Sequence, residues 1–151
     1  MGKLTRRDVE RIVKEARERG ERANLNEADL SNLGLFRADL SGVDLVRANL
    51  RQTNLSRADL SKANLHQAVL TEASLSGANL SGADLSRADL FQARLTEANL
   101  SGANLRETGL NGVNLNQADL SDADLKGAIY SDYTKWPVTF NPAKSGAIKK
   151  G

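Results

Sequence analysis

Residues 76–105 read SGANL SGADL SRADL FQARL TEANL SGANL, and this stretch decides the fold. Working outward from it, leucine occupies every fifth position from Leu25 to Leu125, 21 consecutive pentads without an exception. The residue two before each leucine is alanine except at Leu33, Val43, Thr53, Thr108 and Val113. The residue just before is Asp or Asn except at Gly34, Val69, Ser74, Arg94 and Gly109. A period of five fits neither regular element. On a straight α-helix successive leucines are displaced by about 140° and spiral round the surface. On a flat strand an odd spacing sends alternate leucines to opposite faces. Either arrangement exposes many leucines, at roughly 1.5–3 kcal/mol each relative to burial. The chain must instead bend once per pentad, so that every leucine and the alanine before it face a common axis. That is an all-β solenoid with an Ala/Leu interior and a polar exterior.

A longer period sets the number of pentads per coil. Serine follows leucine at positions 41, 61, 81, 101 and 121, a spacing of 20. Reading every 15 residues gives Ser31, Val46, Ser61, Ser76, Phe91, Arg106 and Ser121, which is mixed. Four pentads per coil are therefore expected, in a little over five coils about 4.8 Å apart, roughly 25 Å of rod.

These tandem Ala-Asn-Leu and Ala-Asp-Leu units resemble the pentapeptide repeat family. The resemblance implies a right-handed quadrilateral β-helix, with leucine at the central inward position and alanine at the second. It implies little about activity, since most members have none known. Three organisational parts are expected: an N-terminal capping helix within 1–22, the β-helix over 23–127, and a C-terminal cap with a frayed tail over 128–151.

A solenoid leaves its core and ladder open at both ends, so caps are expected. Thr5 with Asp8 reads as a capping box, and Leu4 with Val9 has the spacing of a hydrophobic staple. Val9, Ile12, Val13 and Ala16 recur at helical spacing and Gly20 follows as a stop, predicting a helix over residues 6–19. Its other face carries Arg6, Arg7, Arg11, Lys14, Arg17 and Arg19 among glutamates, which reads either as a surface for an anionic partner or, the first expectation, as a solvated face held by internal ion pairs. Phe36 is expected to pack beneath this helix. At the far end Tyr130, Tyr133, Trp136 and Phe140 cluster with Pro137 and Pro142, and are expected to fold back as a lid. The run Tyr-Thr-Lys-Trp-Pro at 133–137, with Phe-Asn-Pro at 140–142, resembles the tails of cyanobacterial pentapeptide repeat proteins. Gyrase-protecting relatives use this end to dimerise; a lid, and hence a monomer, is the first expectation here.

Composition bounds the chemistry. The chain has 151 residues, 21 Lys+Arg against 19 Asp+Glu, a single histidine (His66) and no cysteine. Thiolate sites and His-paired metal or proton-relay sites within one chain are excluded. The carboxylates sit on a convex rod with no concave pocket to shift their pKa. No enzyme, no cofactor and no bound metal are expected. The stacked carboxylates and serines of the 39/59/79/99/119 column suggest a flat docking strip, a Ca²⁺ site or side chains bonded to turn backbone, and the last accounts for the same pattern on all four sides. With no apolar run long enough to span a bilayer and no apolar leader before the first charges, a cytoplasmic protein is expected.

The expected partner is another protein. Outward apolar residues are Phe36, Val46, Val69 and Phe91. Val69 and Phe91, with Arg94 one corner beyond and His66 one corner before, form a candidate contact patch. Direct nucleic-acid binding is not expected, because residues 23–127 carry 13 acidic against 9 basic side chains and no continuous basic track. Two alternatives come from the resemblance: a DNA-mimicking inhibitor or protector of gyrase, and a regulator that binds a transcription factor. Duplex DNA carries one charge per about 1.7 Å, which a net charge of −4 over this rod does not approach.

Overall fold

One hydrogen-bonded unit repeats down the computed structural model, which describes residues 2–151. The residue before each leucine bridges in parallel to the residue twenty further on. Asn24 pairs with Asp44, Asp44 with Asn64, and so on to Asn104 with Asp124, and three equivalent columns run through Asp29, Gly34 and Asp39. The Asp44 N–H donates to the Ala23 carbonyl at 2.9 Å, and the Leu25 N–H donates to the Asp44 carbonyl at 2.8 Å. Twenty residues therefore make one coil of four sides, as the serine spacing implies. We number the sides by their leucines: the first through Leu25, the second through Leu30, the third through Leu35 and the fourth through Leu40.

All 21 leucines of the series are buried, none more than 9 % exposed. The alanines two before them fill the remaining interior, which explains why so few aromatics are needed. Where threonine replaces alanine its hydroxyl must find a partner inside. Thr53 donates to the Leu30 carbonyl at 2.7 Å, and Thr108 to the Leu105 carbonyl at 2.8 Å.

Each corner is a turn closed by a bond such as Ala28 N–H to Leu25 carbonyl at 3.1 Å. The second residue after every leucine has a positive φ, between 55° and 75°, and fifteen of these 21 residues are not glycine. A left-handed residue costs roughly 1–2 kcal/mol when it carries a Cβ. The ladder offsets this, since the N–H of the same residue reaches the next coil, as Glu27 does to the Val46 carbonyl at 2.8 Å.

At the N-terminal end, helix α1 (Arg6–Glu18) begins on the Thr5–Asp8 capping box and closes on Arg19, with Gly20 at φ 70°. Val9, Val13 and Ala16 are buried in the same core as the first leucines, and Ile12 packs partly against it. Lys3 bridges Asp29, adding a rung ahead of the helix. Two residues of the solvated face of α1 also reach the rim of the first coil. Arg6 donates to the Gly34 and Phe36 carbonyls at 3.3 and 3.0 Å, and Arg17 grips both carboxylate oxygens of Asp39 at 3.0 and 3.1 Å. Open carbonyls at the edge of the first coil draw these guanidinium groups. Phe36 does not lie beneath the helix: it is 44 % exposed, with the Arg37 guanidinium 5.2 Å from its ring centre.

At the other end the ladder runs past residue 127. Ile129 bridges Gly109 and Lys135 bridges Asn114, so Tyr130 and Trp136 stand where leucines would follow. Tyr130 meets Trp136 edge-on at 5.3 Å, and Trp136 stacks on Phe140 at 5.1 Å. Tyr133 takes no part; it is 82 % exposed, because the extra residue in the 131–134 turn carries it outward. The end of the chain returns to the ladder. After a 3₁₀ turn at Pro142–Lys144, strand β2 (Ile148–Lys149) pairs in parallel with strand β1 (Ile129–Tyr130).

Candidate functional site

The outward side chains are first of all turn-formers. Asp59 Oδ1 accepts the Ser61 N–H at 3.0 Å and its hydroxyl at 2.6 Å. The same pair of bonds recurs at Asp39–Ser41, Asn79–Ser81 and Asp119–Ser121. Hydrogen bonds to an ionised carboxylate favour its charged form. The Ser121 hydroxyl and N–H accordingly hold Asp119 below the ordinary aspartate range, and the Arg17 guanidinium, with help from Ser41, does so for Asp39. Among the described residues no three His, Asp or Glu side chains converge as metal ligands. The serine-rich column is thus occupied by bonds within its own turns.

The first-side corner is likewise paired with itself. Glu27, Arg47 and Gln67 lie one above another, Arg47 sitting 3.7 Å from Glu27 and donating to Gln67 Oε1 at 3.1 Å. Arg87 meets Glu107 at 3.0 Å, and Arg106 meets Asp124 at 3.0 Å. Opposite charges one coil apart, twenty residues at Glu27–Arg47 and Arg87–Glu107 and eighteen at Arg106–Asp124, are the signal for such pairs, and it becomes readable only once the coil length is fixed.

The four residues of the candidate patch are distributed across two sides. Val69 is half-buried in the middle of the second side, bridged to Asn49 above and Asp89 below. Phe91 stands on the corner between the second and third sides, 44 % exposed, its N–H held by Asp89 Oδ1 at 3.0 Å. Arg94 is exposed in the middle of the third side, bridged to Ser74 and Asn114. His66 occupies the opposite corner of the second side, where its Nδ1 shares a hydrogen bond with Ser86 Oγ at 2.8 Å. Phe91 and Arg94 thus adjoin, Val69 lies on the side before them, and His66 is engaged within its own column.

A cleft of about 660 Å³ opens between α1 and the first coil, over Val9, Val13, Ala38 and Leu40. Of the charged residues at its wall, Arg17 pairs with Asp39 and Arg6 with Glu10. No helix among the described residues is long and apolar enough to cross a membrane.

Comparison with known proteins places this architecture. A family profile described as pentapeptide repeats matches in eight copies, over residues 21–52, 35–71, 68–106 and 88–127. A pentapeptide repeat protein, Rfr23, from the cyanobacterium Cyanothece 51142 is 31 % identical, with a TM-score of 0.74 over 85 % of this chain and 99 % of that one. HetL of Nostoc sp. strain PCC 7120, a pentapeptide repeat protein involved in heterocyst differentiation regulation, is 40 % identical over 72 % of this chain and 59 % of its own, with a TM-score of 0.47. Trypsin-treated QnrB1, a plasmid-mediated fluoroquinolone resistance protein, is 18 % identical with a TM-score of 0.52 over 84 % of each chain, a likeness of fold alone. No curated protein matches. With leucine and alanine inward, four sides per coil and a profile match running through 21–127, the chain belongs to the pentapeptide repeat family, whose members wind as right-handed quadrilateral β-helices.

Proposed function

We propose that this protein is a non-enzymatic scaffold that binds another protein through a side of its β-helix. The carrying observation is Phe91, a large apolar side chain held half-exposed on a corner whose backbone is fixed by the ladder to both neighbouring coils. A rigid surface loses little conformational freedom on binding, so an exposed aromatic on it contributes most of its contact energy to affinity. Val69 and Arg94 extend the contact, with His66 at its margin. In this reading α1 at one end, and Tyr130, Trp136 and Phe140 at the other, act as caps that keep the rod monomeric. Tyr133 is left out of that role.

Immobilised protein is expected to retain a specific partner from native lysate, and Val69→Asp with Phe91→Asp is expected to release it. Equal retention by the double variant removes the patch. The gyrase-mimic reading has no comparable support, since the carboxylates of the fourth side are tied to serines and those of the first side in part to arginines.

A further inference from the structure

Charge is not spread evenly round the rod. The third side with its two corners comprises residues 31–37, 51–57, 71–77, 91–97 and 111–117, and carries Arg37, Arg51, Arg57 and Arg94 against Glu72 and Glu97. The rest of residues 23–127 carries 11 carboxylates against 5 cations. The middle column of the third side, Gly34, Asn54, Ser74, Arg94 and Asn114, holds no carboxylate, whereas each other side has at least two. Ion pairing leans the same way. The arginines of the remainder, Arg47, Arg87 and Arg106, are all paired, whereas among the described residues Arg37, Arg57 and Arg94 have no carboxylate within ion-pair distance, nor do Lys62 and Lys126 outside this side. Arg51 meets only an amide oxygen, that of Asn49 at 3.2 Å. The two exposed large apolar side chains of the coils, Phe36 and Phe91, stand on the two corners of this same side.

We infer that the third side is the docking face and that its partner is an acidic protein segment. Charge complementarity names the partner: a face with unpaired guanidinium groups and no central carboxylate attracts carboxylates and rejects cationic surfaces. Side-chain choice points to protein. The cations of this side are all arginine, which forks onto carboxylates and is enriched with phenylalanine at interface cores, where lysine is depleted. The Phe36 ring is already covered by the Arg37 guanidinium, a pair fixed before binding. A polyphosphate strand fits less well, because Glu72 and Glu97 interrupt the corners it would follow and the arginines form no continuous track.

This inference deepens the scaffold reading by naming the partner's chemistry, and the two fail separately. The probe is a fluorescein-labelled ten-residue glutamate peptide, with an oligo-uridylate of equal charge beside it, titrated at low salt. The peptide is expected to bind, more weakly as salt rises. Arg37→Gln, Arg57→Gln and Arg94→Gln together are expected to weaken it by at least ~10-fold. The matched set Arg47→Gln, Lys62→Gln and Lys126→Gln, with the same loss of charge, is expected to change it by less than ~2-fold. Glutamine occupies the same left-handed turn position natively at Gln52, Gln67, Gln92 and Gln117, so the four changes at such positions, at Arg37, Arg47, Arg57 and Lys62, are of a kind the fold already holds. No binding of the peptide, equal losses in the two sets, or tighter binding of oligo-uridylate each overturns the assignment. None of these outcomes alters lysate capture through Val69 and Phe91, which tests the scaffold reading by itself.

Discussion

The most demanding position in each pentad is not the leucine but the second residue after it. Its backbone is left-handed in every repeat, yet only six of the 21 are glycine. Long polar residues such as Arg57, Lys62 and Gln92 are held there because their N–H groups complete the ladder, at 2.9, 2.9 and 3.0 Å. Side chains stack as well: a Cβ on Gly112 would lie 3.1 Å from the Gln92 Cγ, and one on Gly77 would lie 3.3 Å from the Arg57 Cγ. Gly112→Ala therefore meets both a positive φ and a crowded neighbour, and is expected to cost about 1–2 kcal/mol. Gly2→Ala, with open space around it, is expected to be neutral. Urea denaturation of the two variants checks this, and equal midpoints would contradict it.

At the level of elements, the two ends close the core by different means. Helix α1 lays a narrow aliphatic stripe on the first coil, whereas the C-terminal end continues the coil with larger residues in the leucine places. Trp136 bridges Tyr130 and Phe140, and its buried Nε1 has no hydrogen-bond partner. The apolar body of the indole is what matters there. Trp136→Ala is expected to cost about 3 kcal/mol, the low end for aromatic truncation because the ring is partly exposed. Trp136→Phe is expected to retain most of that stability, since no bond to the N–H is lost. Thermal unfolding of both variants decides, and a Phe variant as weak as the Ala variant would show that the N–H matters after all.

These ends also mark where sequence reading stops. Capping at Thr5–Asp8 and the stripe of Val9, Val13 and Ala16 are local patterns, so α1 is legible without coordinates. The reach of Arg6 and Arg17 onto the first coil is not, because it depends on which carbonyls and carboxylates that coil leaves open. Strand β2 is invisible for a similar reason. Its pairing with Ile129–Tyr130 is set by where the Pro142–Lys144 turn returns the chain, and the residues themselves read as a short polar tail. Departures from the repeat pick out Val69, Phe91 and Arg94 as surface candidates in the sequence, whereas the unpaired arginines at 37 and 57 stand out only when partners one coil away are counted.

Across the whole molecule, the carboxylates make stability depend on acid. Asp29 and Asp119 are held below the ordinary aspartate range by the hydroxyl and N–H of the serine two residues on. Arg17 and then Ser41 act on Asp39, and the Lys126 N–H and then Arg106 act on Asp124. Groups that ionise more readily when folded stabilise the fold fully above their unfolded pKa and lose that contribution as pH falls through the folded value. Melting temperature is therefore expected to stay level from neutral pH to about pH 5 and to drop below about pH 4. Circular dichroism melts across this range test the sign; a melting temperature that rises on acidification would refute it.

The twenty-residue circuit also dictates how such a protein tolerates change in length. Duplicating one full circuit lengthens the rod and leaves every later residue on its original side. Duplicating a single pentad turns everything downstream by a quarter revolution, so Phe91 and Arg94 would part company with Phe36, Arg37 and Arg57. Lineages that keep a directional surface are thus constrained to grow or shrink by whole windings, and the pentad, though it is the unit of sequence, is not the unit of inheritance for function.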